Sequence, residues 1–563
     1  MKKLIMFCIT FVFCVFISCD KDIENQEVSA NSDDSMTART FTADSTMLQN
    51  PYSVKVMQAA LDNIKNQGKI NTIEFDNFQI TATHKYIKFN PRNRNDEDLL
   101  KDDTDLFLFD YRLDCEYSEK YFLNKKPDND SIPNYYTAIE INKVLPNVPY
   151  EVLEELYIPE QDKYFDNVVD IDRYEVNYEI NNKTDLFFTL ISNAFEQTKN
   201  YEDVGIIDSN TQARWIFGRR WRPAGRIRVE DTTKNTIYPV EGAKVHIRQW
   251  FTMSTGITNA NGDFSTGPVR GRAKYVLQWE RYHYSIRSGW FGQAETKSPR
   301  MLAQNWNCDI IRSLDHYGWY YATIHQAAHD YYYKDILNLH RPQLNTFWNS
   351  QMKIAARNIT STSVHANQTA IFGILPSIYL CAWDRPSERV YGTTIHELAH
   401  SAHREMGTSA YASLVWKGYI EPEAWVNDTD KYKSARRVLE SWATAVEITL
   451  TNLRYQRLDP THTQYRIIPD PNRSIGNLQN VPLTFGDVST TYYTPAYFDL
   501  TDNVDQNRLF TGVPVDKTAN FTIKQIEDAV KNSSSWGEVK QKIVAQNPGF
   551  MGAQANTFLS QWQ

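Results

Sequence analysis

The segment SERVYGTTIHELAHSAHREM, residues 387–406, contains the pentapeptide HELAH at positions 396–400. In a helix, this spacing places both histidines on one face with Cβ atoms about 5–6 Å apart, so both imidazoles can reach one metal ion. Glu397 lies beside that face, where it can act as a base without being a ligand. Uncharged residues flank the motif and Gly407 follows the segment. The pattern predicts a buried metal-binding helix at the floor of a cleft that ends at residue 406.

A catalytic zinc site needs a third protein ligand in addition to His396 and His400. The metzincin extension of the motif requires glycine and then histidine where this chain has His403 and Met406. That subclass is therefore excluded, and a downstream glutamate is the other common donor. The candidates are Glu421, Glu423 and Glu440.

Glu440 lies in the apolar sequence VLESWA, residues 438–443, which is typical of a buried helix. A buried carboxylate is costly unless it is paired, and a zinc ion is a suitable partner. The alternative is a salt bridge with Arg436, one helical turn earlier. Glu421 and Glu423 lie in a loop-like stretch and stay possible as ligands.

The HELAH motif followed by ESWA at residues 440–443 resembles the gluzincin zinc metallopeptidases, in which a downstream helix carries a glutamate. The resemblance implies that His396, His400 and Glu440 bind Zn²⁺ and that Glu397 is the general base and acid. The interval between the motif and Glu440 is longer than in thermolysin-like members. This difference leaves the other two glutamates open as ligands.

The same resemblance implies a mostly helical, zincin-like catalytic domain over residues 298–563. Its expected reaction is hydrolysis of peptide bonds in a protein or peptide substrate, with water activated by zinc. We expect an edge strand at Ile378–Trp383 to pair with the extended substrate. The sequence does not choose the donor that stabilises the transition-state oxyanion among Tyr492, Tyr493, Tyr497 and His462.

Three further histidines lie near the motif or share its spacing. His403 falls on nearly the same helical face as the motif histidines, and we expect it to contact the ligands rather than the metal. The alternative is that it reaches solvent at the rim of the cleft. His325 and His329 are four residues apart, but no glutamate lies between them. A pair of this kind without further donors is typical of helix packing.

Residues 1–19 have the pattern of a secretory signal peptide, with a basic start and an apolar run. The sequence FISC that ends it resembles a bacterial lipobox, which implies that Cys19 carries a lipid that anchors the chain to a membrane. The alternative is ordinary cleavage without lipid. Residues 20–50 are polar and predict a flexible tether. Its start, DKDIE, resembles the surface-export signal of Bacteroidota lipoproteins, which implies an outer membrane lipoprotein exposed at the cell surface.

Residues 51–205 predict an N-terminal α+β module, with helices near Val54–Ile64 and Val152–Tyr157. Residues 222–290 predict a small antiparallel β-sandwich, because alternating strands surround a hairpin signal at Asn261-Gly262. The fold class that we expect is therefore multidomain α+β.

Two phrases within the expected sandwich, PVEGAKV at residues 239–245 and GITNANGDF at residues 256–264, resemble the carboxypeptidase regulatory-like domain. The resemblance implies a role in folding or positioning, and it carries over no catalytic residue.

The charge balance argues against nucleic acid as a partner, since 60 Lys and Arg face 68 Asp and Glu, a net charge of −8. We expect a zinc metalloendopeptidase anchored to the cell envelope by lipid. The competing hypothesis is a non-catalytic surface lipoprotein that binds host protein or glycan. Loss of Glu397 or of either motif histidine would favour it, and all three are present.

Overall fold

The computed structural model describes residues 45–67, 78–103, 105–117, 132–166, 182–200, 203, 220–289, 292–298, 304–346, 349–360, 364–365, 378–421, 430–461, 494–503 and 514–561. The expected signal peptide, Cys19 and most of the expected tether lie outside these residues. Among the described helices, none is long and apolar enough to cross a membrane. The protein is α+β with several sheets, as the sequence predicted.

The N-terminal region contains a three-stranded antiparallel sheet of order β4-β2-β5 and a two-stranded sheet formed by β1 and β3. Helices α1 and α3 pack together over a hydrophobic core that also takes in strand residues of this region and Trp250, Phe251 and Val276 of the region that follows. The elements are β1 (Ser45–Met47), α1 (Val54–Gln67), β2 (His84–Phe89), α2 (Arg94–Asp102), β3 (Cys115–Tyr117), β4 (Tyr135–Glu140), β5 (Tyr150–Leu156) and α3 (Asn182–Gln197).

The prediction of a helix near Val152–Tyr157 is wrong. All of these residues except Tyr157 belong to strand β5, and Tyr157 follows the strand directly. β5 pairs along its length with β2, and a bulge interrupts the register at Tyr86 and Ile87. Pairing with a strand more than 60 positions earlier decides the conformation here, and a local pattern does not contain that information.

The next region is a β-sandwich of two four-stranded sheets. One sheet has the order β10-β9-β13-β16, and the other has the order β11-β7-β17 with β8 also paired to β7. A separate ribbon joins β12 to β6. The strands are β6 (Arg220–Trp221), β7 (Ala224–Asp231), β8 (Thr236–Pro239), β9 (Lys244–Gln249), β10 (Thr252–Ile257), β11 (Asp263–Ser265), β12 (Val269–Arg270), β13 (Lys274–Gln278), β14 (Tyr284–Ser288), β15 (Gly292–Gln293), β16 (Glu295–Lys297) and β17 (Trp306–Ile310).

The sandwich differs from the expected one in extent and in strand direction. Strands β16 and β17 lie beyond residue 290, and β17 pairs with β7 in parallel. Strand β14, inside the expected range, leaves the sandwich and joins another sheet. The sequence shows where strands form but not which strands pair, because the pairings join distant segments. The expected limit at residue 290 therefore does not coincide with the end of the sandwich.

That other sheet has five strands in the order β15-β14-β18-β20-β19, where β18 is Met352–Ala356, β19 is Val364–His365 and β20 is Ile378–Leu380. Strands β14, β18 and β20 are mutually parallel, and β19 runs antiparallel to β20. The expectation of an edge strand at Ile378–Trp383 is wrong, because β20 lies between two neighbours. Within the described residues, β19 forms this edge, and it contacts the motif helix.

The remaining chain is mostly helical. Helix α5 carries the HELAH motif and packs between α4 and α7. One continuous hydrophobic core joins the sandwich, the five-stranded sheet and these helices. The helices are α4 (His316–Tyr333), α5 (Ser387–Met406), α6 (Thr408–Val415), α7 (Asp430–Leu458), α8 (Ala496–Asp499), α9 (Ile523–Val530), α10 (Trp536–Gln546) and α11 (Phe550–Ser560), with a π-helical turn at Trp416–Ile420.

Helix α5 has the bounds that the sequence predicted, and 17 of its 20 residues are buried. Its first free backbone N–H groups, at Ser387 and Glu388, donate to the hydroxyls of Thr232 and Thr233 at 2.9 and 3.1 Å. These threonines lie in the turn between β7 and β8, so a sandwich turn caps the motif helix.

The residue that follows helix α5, Gly407, is a glycine for a steric reason. The φ angle of Gly407 is −178°, an extended conformation open to any residue. A Cβ atom at this position would overlap Oδ1 of Asn532, in the turn after α9. The glycine therefore permits a close approach between two segments rather than a left-handed turn.

Candidate metal centre

Two histidines of α5 and one glutamate of α7 meet in the interior of the protein. The Nε2 atoms of His396 and His400 lie 3.3 and 3.4 Å from one oxygen, Oε2 of Glu440. One potential ligand atom of each residue lies within 4.8 Å of the others, and all three residues are buried. Over the described ranges, this is the only group of three or more such side chains placed to hold a metal ion. The donor set therefore fits a metal ion.

Of the two described glutamates among the three third-ligand candidates, Glu440 is the one that lies beside the histidines. Oε1 of Glu421 instead accepts a hydrogen bond from Lys431 at 2.8 Å. Glu423 lies outside the described residues. Arg436, the other partner considered for Glu440, donates from Nε to a backbone carbonyl of the π-helical turn at 2.5 Å.

Tyr419 orients the carboxylate of Glu440. The tyrosine hydroxyl donates to Oε1 of Glu440, which leaves Oε2 directed at the two imidazoles. The guanidinium of Arg436 lies over the Tyr419 ring, 5.4 Å from its centroid. Tyr419 was not predicted from the sequence, because nothing in the sequence of its turn indicates that the turn lies close to α7.

A second carboxylate lies behind His396. Oε2 of Glu447, seven residues after Glu440 on α7, is 3.1 Å from Nδ1 of His396. Glu447 was not predicted from the sequence either. Its signal was a spacing of seven residues from Glu440, which is close to two helical turns and places both carboxylates on one face of α7.

The carboxylates make this site attract positive charge. Burial lowers the pKa of His396, but hydrogen bonds to Glu440 and Glu447, with the charges of Glu447 and Glu397, raise it to about 10. Burial raises the pKa of Glu440, yet the neighbouring charge and hydrogen bonds of His400 and His396 hold it well below its usual value. A divalent cation would benefit from the same electrostatic environment.

Glu397 and His403 flank the ligand face of α5. Glu397 is 1% exposed, next in sequence to His396, whose pKa its charge helps to raise. His403 is buried edge-on against the ring of Tyr411, with centroids 5.1 Å apart. Burial, and then its neighbour His400, lower the pKa of His403 to about 3, so its imidazole is neutral. His403 therefore adjoins the cluster without adding charge.

The pair formed by His325 and His329 takes part in packing, as predicted from its sequence. Nδ1 of His325 lies 3.0 Å from the Tyr284 hydroxyl, and Nε2 lies 2.9 Å from the carbonyl oxygen of Glu241. Both ring nitrogens of His325 are thus engaged within the core. His329 packs against Gly242, where a Cβ atom would overlap the imidazole ring.

One of the four residues considered as oxyanion donors is described. Tyr497, in α8, is fully buried and stacks on Trp536, with ring centroids 4.8 Å apart. The other three lie outside the described residues: Tyr492, Tyr493 and His462.

Comparison with known proteins gives this chain no family. No protein-family model matches it, and no curated protein does. Among solved structures, 5-hydroxyisourate hydrolase from Klebsiella pneumoniae is 17% identical, over 16% of this chain and 88% of that chain, with a TM-score of 0.12. (S)-allantoin synthase is 9% identical, over 23% of this chain and 49% of that chain, with a TM-score of 0.11. These likenesses carry no argument about activity.

Proposed function

We propose that this protein is a zinc-dependent metalloendopeptidase of the gluzincin type. The observation that carries the proposal is the convergence of His396, His400 and Glu440 in one buried cluster, with Glu397 on the same helix as the histidines. Two imidazoles and one carboxylate form a donor set that catalytic zinc sites use, with a further position left for water or substrate. What favours zinc among divalent ions is the H-E-x-x-H pattern itself, two histidines four residues apart on one helix with Glu397 between them as a base.

The protein side chains have separate tasks in peptide hydrolysis. A zinc ion, when bound, would act as a Lewis acid that lowers the pKa of water and polarises the scissile carbonyl. Glu397 would accept the proton of the attacking water and deliver it to the leaving amine. Tyr419 would hold Glu440 in the orientation that serves both histidines.

The substrate and cellular place of the protein are also part of this proposal. The substrate is a protein or peptide, and the chain reaches it as a lipid-anchored protein of the outer membrane, exposed at the cell surface. The lipobox-like sequence that ends at Cys19 supports the lipid anchor, and the acidic residues after it support export to the cell surface.

The variant Glu397→Gln tests the proposed chemistry. The amide keeps the size of the side chain but does not accept the proton, so turnover of a fluorogenic peptide library should fall by at least about 100-fold. Zinc content should stay at the wild-type level, because Glu397 is not a ligand. Glu405→Gln, an exposed change on the same helix, is the matched control and should keep full activity. Wild-type turnover by Glu397→Gln would contradict the assigned role.

A further inference from the structure

Glu447 has an unusual environment for a carboxylate. The residue is 4% exposed, and its Oε2 atom lies 3.1 Å from Nδ1 of His396. Its other oxygen, Oε1, is buried and has no hydrogen-bond partner among the described residues. A buried carboxylate with one neutral or cationic partner is costly to keep in a protein interior. Its presence beside the metal cluster therefore calls for a functional reason.

Helix α5 is shaped to accept this carboxylate. Gly392 lies one turn before His396, in the interior of the helix, where glycine is less stabilising than alanine. A Cβ atom at Gly392 would lie 2.8 Å from Oε1 of Glu447 and 3.3 Å from its Cγ. The glycine thus leaves the space that Glu447 occupies.

The geometry determines which nitrogen of His396 faces the metal site. Nε2 of His396 points to Glu440, and Nδ1 points to Glu447. A carboxylate that accepts the Nδ1 hydrogen leaves the lone pair of the neutral imidazole on Nε2, which is the atom that faces the other ligands. The negative charge of Glu447 also raises the electron density on the ring and favours a cation at the site.

We propose that Glu447 is a positioning residue that holds His396 in the orientation and tautomer needed to bind the metal, and that Gly392 provides the space for it. This inference rests on the proposed metal site. Glu447 does not touch the substrate, and it acts through His396.

The test measures zinc affinity by competition with a chromogenic chelator, using the full chain. Glu447→Ala should bind zinc about 10- to 100-fold more weakly than wild type. Glu447→Gln, which still accepts a hydrogen bond through its amide oxygen, should be intermediate. Gly392→Ala changes no charged group, yet it should also weaken binding, because it displaces the carboxylate.

A matched control is available at a second glutamate–histidine pair. Oε2 of Glu527 lies 2.8 Å from Nδ1 of His340, and Glu527 is 1% exposed. Glu527→Gln should therefore leave zinc affinity unchanged. The visible spectrum of the cobalt-loaded protein adds a readout of ligand geometry, which should change in Glu447→Ala and not in Glu527→Gln.

The outcomes separate this inference from the proposed function. Wild-type zinc affinity and an unchanged cobalt spectrum in Glu447→Ala and Gly392→Ala would overturn the role of Glu447 while leaving the metal site intact. If Glu447→Ala does not fold, the zinc affinities of Glu447→Gln and Gly392→Ala test the role of Glu447 in its place. Absence of zinc binding by wild type would overturn the metal site and this inference together.

Discussion

At the scale of single residues, Glu440 connects the parts of the candidate site. Its Oε2 atom faces both imidazoles, while its Oε1 atom accepts a hydrogen bond from Tyr419. Glu447 then supports His396 from the other side of the ring. Each imidazole nitrogen of His396 therefore has a carboxylate partner, and this arrangement gives the cluster its attraction for a cation.

The sequence could predict the local part of this cluster and not the distant part. The four-residue spacing of His396 and His400 follows from helix geometry alone. Glu440 was the predicted third ligand, from its apolar surroundings and the resemblance. Glu421 and Glu423 stayed open as alternatives, because the distance of each from the histidines depends on how the chain folds back onto α5. Tyr419 was missed because a contact between distant segments leaves no local pattern. Glu447 was missed although its seven-residue spacing from Glu440 placed it on the same face of α7.

At the scale of elements, the end of α5 gives a test of packing. Gly407→Ala should lower the free energy of unfolding by about 1–3 kcal/mol, because the new methyl group overlaps the Asn532 side chain. The measurement is urea unfolding of the metal-free protein.

A double variant, Gly407→Ala with Asn532→Gly, checks that the overlap with the Asn532 side chain causes the loss of stability. Asn532 has a φ angle of 56°, which glycine adopts readily, and removal of its side chain relieves the overlap. The double variant should regain most of the lost stability. An equal loss in the single and double variants would contradict the steric explanation.

The bounds of α5 were predicted from its own sequence, with Gly407 as the stop signal. The structure adds what the sequence did not show, a cap from Thr232 and Thr233 of a distant turn and a steric role for Gly407. Strand partners were not predictable. The parallel pairing of β17 with β7 and the interior place of β20 depend on segments far apart in the chain. The helix predicted at Val152–Tyr157 was wrong for the same reason, because pairing with the distant strand β2 makes this segment a strand.

At the scale of the whole molecule, buried ion pairs join the N-terminal region to the five-stranded sheet. Nη1 of Arg287, on β14, lies 2.9 Å from Oε1 of Glu97 on α2, and both side chains are fully buried. Nζ of Lys353, on β18, lies 3.4 Å from Oδ1 of Asp98. The N-terminal region is thus fixed to the sheet beside α5, an arrangement that composition and periodicity did not reveal.

This contact predicts a pH dependence of stability. Burial raises the pKa of Glu97, but the charges of Arg287, Arg94 and Lys353 lower it to about 2, from an ordinary value of 4.5. Because the pKa is lower in the folded state, the stabilisation is complete above about pH 4.5 and is lost as the pH falls towards 2.

Urea unfolding of wild type and Glu97→Gln over this pH range measures the effect. The variant should be less stable than wild type at neutral pH, because it leaves buried cations without their partner. The difference between the two proteins should shrink as the pH falls. A difference that stays constant between pH 6 and pH 2 would contradict the assignment.

The most direct test of the central claim is the metal content of the full chain, measured by plasma mass spectrometry after reconstitution with zinc. Wild type should hold one zinc ion per chain, and Glu440→Ala should lose it. Glu421→Ala, at the glutamate that pairs with Lys431, should keep it. Absence of zinc from wild type would contradict the metal centre and favour a non-catalytic binding protein, and equal zinc in Glu440→Ala would contradict the ligand set.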